Sequence, residues 1–235
     1  MVPLVSKLYC SSTEVVYVVR KRPHVINGGG FVVTNCDQKV VFSVDGCGIL
    51  GKAEELILRD ERRNALLLIR GKVITKCSTC FLNKYFLLFL HKNGRFGIIQ
   101  HSFMFQGGIF EALSFNKIWN AYRYDFQGSK KLVFSLRKPK SCLPVDKDTG
   151  IRITTKPNLG KKDWDFEISG YFPGKESSII DSQGNLVAQI GKNKKAGVLL
   201  SKDLYYVSIK PGIDQAFVVG VIAILDNIYG ESTSC

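Results

Sequence analysis

Apolar and polar residues alternate along most of this chain in short runs separated by turn-forming residues. Eight stretches carry the pattern: "EVVYVVR", "FVVTNCDQKVVFSV", "ELILRDERRNALLLIR", "WNAYRYDFQGSKKLVFSLR", "IRITT", "DWDFEISGYF", "SSIIDSQGNLVAQI" and "GVLLSKDLYYVSIK". Val, Ile, Tyr and Phe dominate them, at the period of two that a half-buried strand requires. Three runs share one plan: Phe31–Val44, Leu56–Ile69 and Ile179–Ile190 each read as strand, polar turn, strand. The turn "DSQGN" is the clearest, because Gly184 tolerates the positive φ that tight turns demand. Counting each hairpin as two strands predicts about a dozen, with no long amphipathic helix competing. So many strands in one mainly β domain imply a sandwich or a closed antiparallel barrel.

The exception is "GIDQAFVVGVIAILDNIYG" near the end of the chain. From Ala216 to Leu225 no side chain is polar or charged, and Asp214 and Asp226 bracket the run. Pro211 and Gly212 interrupt the preceding strand, Asp214 offers an N-cap, and Gly230 offers a stop, which predicts a helix within 212–228. At 1.5 Å per residue, Asp214–Ile228 as a helix is roughly 22 Å long, whereas a bilayer core is about 30 Å thick. The span is too short. A helix apolar on every side needs protein all round it, either in a sandwich or inside a barrel. Barrels of about eleven strands are wide enough to hold a central helix. We therefore expect a closed barrel around a buried helix, with Asp214 as cap and Ala216, Phe217, Val219 and Ile222 turned towards its walls.

The runs "SIIDSQGNLVAQI", "DWDFEISGYF" and "GVLLSKDLYYVSIKPGIDQAFVVGVIAILDNI" resemble the LURP-one-related (LOR) family of plants, a branch of the tubby C-terminal and phospholipid scramblase superfamily. The resemblance extends upstream through "FVVTNCDQKVVFSVDGCG", "ELILRDERRNALLLIRGK" and "LSFNKIWNAYRYDFQGSKKLVFSLRKPKSCL". It implies one tubby-like domain over residues 1–235: a twelve-stranded antiparallel barrel around a hydrophobic C-terminal helix. It also implies a link to defence responses. Residues 76–111 depart from the family pattern. This segment is dense in Phe and Tyr and carries His91 and His101, two of the three histidines. Three origins compete for it: a partner-docking patch, a membrane-touching loop, or translated intron sequence. Its composition suits no protruding hairpin tip, which favours the last.

Charge changes the picture more than composition does. The net charge is +13, with 33 Lys and Arg against 20 Asp and Glu, which favours anionic partners. The early residues lack a continuous apolar core of the secretory type, and the seven cysteines are irregularly spaced. Reduced thiols in a cytoplasmic, nuclear or membrane-associated monomer without a transmembrane segment are expected. Cys77 and Cys80 form one CxxC, but no second pair stands near enough to complete a zinc site. His24, His91 and His101 offer no triad, and "NGGGF" lacks the ending of a phosphate loop. Asp37, Asp45, Asp60 and Asp181 are placed to cap turns. We expect no enzyme, no cofactor and no metal.

Basic clusters remain: Arg20–Arg22, Arg137–Lys140, Gly160–Lys162 and Lys192–Lys195. They are either solvated strand ends that protect sheet edges or a surface that holds phosphate oxygens. Tubby domains bind phosphoinositides through basic residues of the barrel wall, so the resemblance implies a phosphoinositide or an anionic membrane as partner. On charge alone, Arg137, Lys138, Lys140, Lys192, Lys194 and Lys195 are the candidate ligands. Nucleic acid and protein partners compete for the same charge. Scramblase-like lipid transport would require the terminal helix to span a bilayer, which its length opposes.

Overall fold

The alternating runs become strands, and their period-two apolar faces turn towards one interior. The structure is a computed structural model that describes residues 2–22, 29–46, 55–75, 115–124, 128–137, 150–155, 164–191 and 204–229. The strands are β1 (Val15–Lys21), β2 (Gly30–Thr34), β3 (Val40–Asp45), β4 (Glu55–Asp60), β5 (Ala65–Thr75), β6 (Phe115–Tyr124), β7 (Lys130–Arg137), β8 (Ile151–Thr154), β9 (Phe166–Tyr171), β10 (Glu176–Asp181), β11 (Leu186–Gly191) and β12 (Leu204–Ile209). Each neighbours the next in the chain, and β1 returns to pair with β12 from Val15↔Ile209 to Arg20↔Leu204, closing the barrel. Helix α1 follows at Gln215–Ile228. By compactness, Val73–Lys117 separates from the remainder, and of it only 73–75 and 115–117 are described. The segment 76–111, whose origin the sequence leaves between three alternatives, lies outside the described residues.

The three hairpins that share a plan in sequence share it in detail. Asn35, Asp60 and Asp181 open the β2–β3, β4–β5 and β10–β11 turns. In each, the side-chain Oδ1 accepts the main-chain N–H four residues on, from Lys39 (2.9 Å), Asn64 (2.8 Å) and Asn185 (2.8 Å). The residue before that donor is left-handed in all three: Gln38 (φ 62°), Arg63 (φ 68°) and Gly184 (φ 85°). A register shift follows at Val33/Thr34, Leu58/Arg59 and Ile179/Ile180. This is the bulged hairpin that a turn ending in the left-handed region produces.

Asp45 behaves differently from Asp60 and Asp181. It ends β3 and accepts from Arg22 Nη2 at 2.8 Å and Arg59 Nε at 2.9 Å. Burial works to raise its pKa, but the bonds and charge of the two guanidinium groups outweigh burial, and the carboxyl is held below its ordinary 3.8.

Helix α1 fills the barrel. Every residue from Gln215 to Asp226 is buried, and Ala216, Phe217, Val219 and Ile222 are at most 1% exposed. The Phe217 ring meets Phe134 edge-on at 5.2 Å and Phe166 at 4.8 Å. Gly220 marks a close approach, because a Cβ there would stand 2.9 Å from Leu67 Cδ1. Asp214 caps the helix as expected: its Oδ1 accepts from the N–H groups of Ala216 (3.1 Å) and Phe217 (3.3 Å). Its Oδ2 accepts from Val5 (2.7 Å) and Ser6 (3.0 Å), so the N-terminal segment is tied over that end of the barrel. Tyr17 Oη donates to Gln215 Oε1 at 2.6 Å, and Arg123 Nη1 donates to the Val5 carbonyl at 2.6 Å. At the far end Tyr229 stacks on Phe172, and Lys175 Nζ stands 4.1 Å from the Phe172 ring centre and 4.5 Å from that of Tyr205. Among the described residues no helix is long and apolar enough to cross a membrane.

Replacing Val219 with Asp should abolish cooperative folding, since an unpaired carboxylate in this interior costs several kcal/mol. Retention of a two-state urea transition by that variant would show that the helix does not need an apolar barrel wall. Arg63→Gly should raise the unfolding free energy by up to about 1 kcal/mol, because glycine tolerates the left-handed backbone better than arginine. An unchanged or lower urea midpoint would count against strain at that turn. Because the folded pKa of Asp45 is depressed, its contribution to stability is present above the ordinary carboxylate value of 3.8 and is lost as pH falls through the lower folded value. The stability gap between the wild type and Asp45→Asn should therefore narrow on acidification below that range, read from urea midpoints across a pH series.

Candidate functional site

In an antiparallel barrel with neighbouring strands in chain order, alternate strand ends share a rim. Lys21, Arg137 and Gly191 close β1, β7 and β11 at the rim where α1 ends, while Asp214 and the three bulged turns occupy the other. Of the six basic residues singled out in the sequence, the structure describes Arg137. Lys138, Lys140, Lys192, Lys194 and Lys195 lie outside the described residues.

Arg137 is exposed at the end of β7 while its neighbour Leu136 is fully buried, as period two requires. Directly opposite it on β8 stands Arg152, itself exposed between buried Ile151 and Ile153. Like charges facing each other across two strands are unfavourable. The next strand places Glu167 opposite Arg152, so the outer wall carries the row Arg137–Arg152–Glu167 across β7, β8 and β9. The Arg152 guanidinium lies over the Trp164 ring at 5.8 Å from its centre, a placement favourable to a cation. One step towards the opposite rim, Ser135 faces Thr154 and donates from Oγ to Asn120 Oδ1 at 2.6 Å, and Asp165 Oδ2 accepts from the Thr155 N–H at 2.6 Å and Oγ1 at 2.8 Å.

Several other cations of the barrel are already engaged. Arg22 and Arg59 meet Asp45, Arg70 meets Glu55 at 2.7 Å, Lys39 meets Glu61 at 2.8 Å and Lys210 meets Glu14 at 2.7 Å. The Arg20–Arg22 cluster is thus not a uniformly free patch, because Arg22 serves the fold. Lys130 stands 3.6 Å from the Tyr122 ring centre, and its pKa is lowered by burial and then by the nearby Arg70 charge. Among the described residues, neither Arg137 nor Arg152 forms an ion pair. No three His, Cys, Asp or Glu side chains converge as metal ligands among them either.

Sequence reasoning missed Arg152, Trp164 and Glu167. Alternation in "IRITT" turns Arg152 outward, but its partner on β7 depends on a register that residues 138–149 do not reveal.

The chain resembles known proteins over nearly its whole length. A family model described as LURP-one-related matches residues 71–226. The Arabidopsis thaliana protein LURP-one-related 6 is 46% identical over 236 aligned residues that cover all of both chains. LURP-one-related 16 from the same plant is 40% identical, covering 99% of this chain and 95% of its own. An X-ray structure of an Arabidopsis thaliana protein, 16% identical, aligns over 96% of this chain and 98% of that one with a TM-score of 0.58, a likeness of fold. By its sequence and its helix-filled barrel, the chain belongs to the LURP-one-related family.

Proposed function

We propose that this barrel is a non-enzymatic binding module that docks on phosphoinositide or other anionic membrane surfaces and acts as a membrane-tethered regulator in plant defence. The observation that carries the reading is the pair Arg137 and Arg152, held in register with no acid bonded to either among the described residues. A phosphate oxygen set between two guanidinium groups relieves their repulsion and accepts charge-assisted hydrogen bonds. The net charge of +13 adds a long-range attraction to an anionic surface. The defence role follows from the family alone. The lysines at 138, 140, 192, 194 and 195 are proposed as further ligands on charge alone.

Vesicle flotation tests the reading. The wild type should float with vesicles containing phosphoinositide or phosphatidylserine, and Arg137→Gln/Arg152→Gln should weaken that binding. Each charge near an anionic surface is worth about 1 kcal/mol, so the double variant should lose about thirtyfold in affinity. It should also depend less steeply on salt. The triple variant Lys192→Gln, Lys194→Gln, Lys195→Gln is the comparison for the neighbouring segment. Tight DNA binding with a steep salt slope and indifference to headgroup would favour a nucleic-acid module instead. If neither variant changes vesicle or DNA affinity, the charge serves solvation only.

A further inference from the structure

The wall row does not end in two positive charges. Its third member is a carboxylate, and the charges run plus, plus, minus across three neighbouring strands. Opposite charges in register on adjacent strands usually close into an ion pair, yet Arg152 and Glu167 do not. Each is turned to its own surroundings. Arg152 lies over Trp164, while Glu167 Oε1 occupies the space beside Gly150, 1.8 Å from where a Cβ on that glycine would sit. The result is a pair of opposite charges that face each other in register without bonding.

Beside the carboxylate a groove of about 300 Å³ opens on the outer wall of β8, β9 and β10 and reaches the end of α1. Glu167, Ser169, Tyr171 and Tyr229 supply its functional side chains, and Gly150 and Gly170 line it with backbone alone. Tyr171 is 65% exposed, unusual for a large aromatic on a strand. Tyr229 is held on the far side by stacking on Phe172, with ring centres 5.9 Å apart. An aromatic surface beside a carboxylate suits an organic cation, which gains from the ring faces and from the charge without needing hydrogen-bond acceptors. The neighbouring arginines suit a phosphate.

We propose that the row Arg137–Arg152–Glu167 and the Tyr171–Tyr229 groove bind a phosphate ester bearing a quaternary ammonium group, the phosphocholine class. The phosphate lies against Arg137 and Arg152, and the ammonium enters the groove beside Glu167 and Tyr171. Phosphate and ammonium are joined in one small group, which matches arginines and a carboxylate-lined groove carried on neighbouring strands. The phosphate half rests on the reading of Arg137 and Arg152 given above, and the groove half is new. The same chemistry can arrive as a free phosphocholine or as the headgroup of a lipid.

Three probes on the full chain separate the halves: phosphocholine, choline and inorganic phosphate, each titrated by NMR. Phosphocholine should bind several-fold tighter than either fragment. Glu167→Gln and Tyr171→Ala should each weaken phosphocholine and choline by about fivefold, leaving phosphate unchanged. Arg152→Gln should weaken phosphocholine and phosphate while sparing choline. Unchanged thermal unfolding would show that these exposed substitutions act on binding, and Glu167→Asp should restore part of the loss in a variant that keeps the charge. Flotation on phosphatidylcholine vesicles, with free phosphocholine as competitor, distinguishes the lipid headgroup from the free ester. If phosphocholine binds no tighter than phosphate, or Glu167→Gln and Tyr171→Ala leave it unchanged, the groove half is overturned while docking on anionic membranes stands. If phosphate and anionic vesicles also ignore Arg152→Gln, both readings fall.

Discussion

A closed barrel of twelve strands encloses more space than the side chains of its walls can fill. The interior must therefore be occupied by chain, and a helix is the element whose backbone polar groups are largely satisfied internally. Its first turn still leaves N–H groups without intrahelical partners, and here that turn is buried. Asp214 resolves the problem. One carboxylate oxygen accepts from Ala216 and Phe217, and the other accepts from Val5 and Ser6. The same group thus caps the helix and fastens the start of the chain across the mouth of the barrel. At the far end, buried Lys175 between Phe172 and Tyr205 places a cation within two ring contacts of the helix C-cap Tyr229, on the side where the helix dipole is negative.

Closure also changes the meaning of the surface charge. In an open sheet, lysines and arginines at strand ends are readily explained as protection of unpaired edges. The pairing of β1 with β12 abolishes edges altogether, so that explanation does not apply to the strands of this wall. What remains is ordinary solvation, neutralisation or recognition. Asp45, Glu55, Glu61 and Glu14 account for several of the cations by direct bonds. Arg137 and Arg152 are not among the cations so neutralised, and they face each other in register on neighbouring strands.

Much of this was legible in the sequence because it is local. Apolar alternation located the strands, Asp-containing polar stretches located the hairpin turns, and a charge-free decapeptide located the helix. Asp214 was readable as a cap because capping acts over two or three residues. Its bonds to Val5 and Ser6 were not, since no local pattern links positions more than 200 residues apart. Asp45 resembles Asp60 and Asp181 in standing at the end of a strand. What distinguishes it is the arrival of Arg22 and Arg59 from neighbouring strands. The wall row failed for the same reason. Each of its members is visibly outward-facing in its own strand, but whether Arg137 meets Arg152, a threonine or an acid depends on inter-strand register.

That register is fixed from the inside. Leu136, Ile153 and Ile168, which flank the row, belong to the core that encloses Phe217 and Val219. A slip of one residue in β8 would turn Ile151 and Ile153 to solvent and Arg152 into the helix, so the core specifies the outer row as strictly as it specifies itself. The members of the row are thereby held in register without any ion pair between them. Such a site is preorganised by rigid elements, and its chemistry is free to vary. Exchanging Arg137, Arg152 or Glu167 alters the wall without touching the packing that positions it. The helix that fills the barrel thus holds the outer wall in one geometry, and what each outward position presents can change without disturbing that geometry.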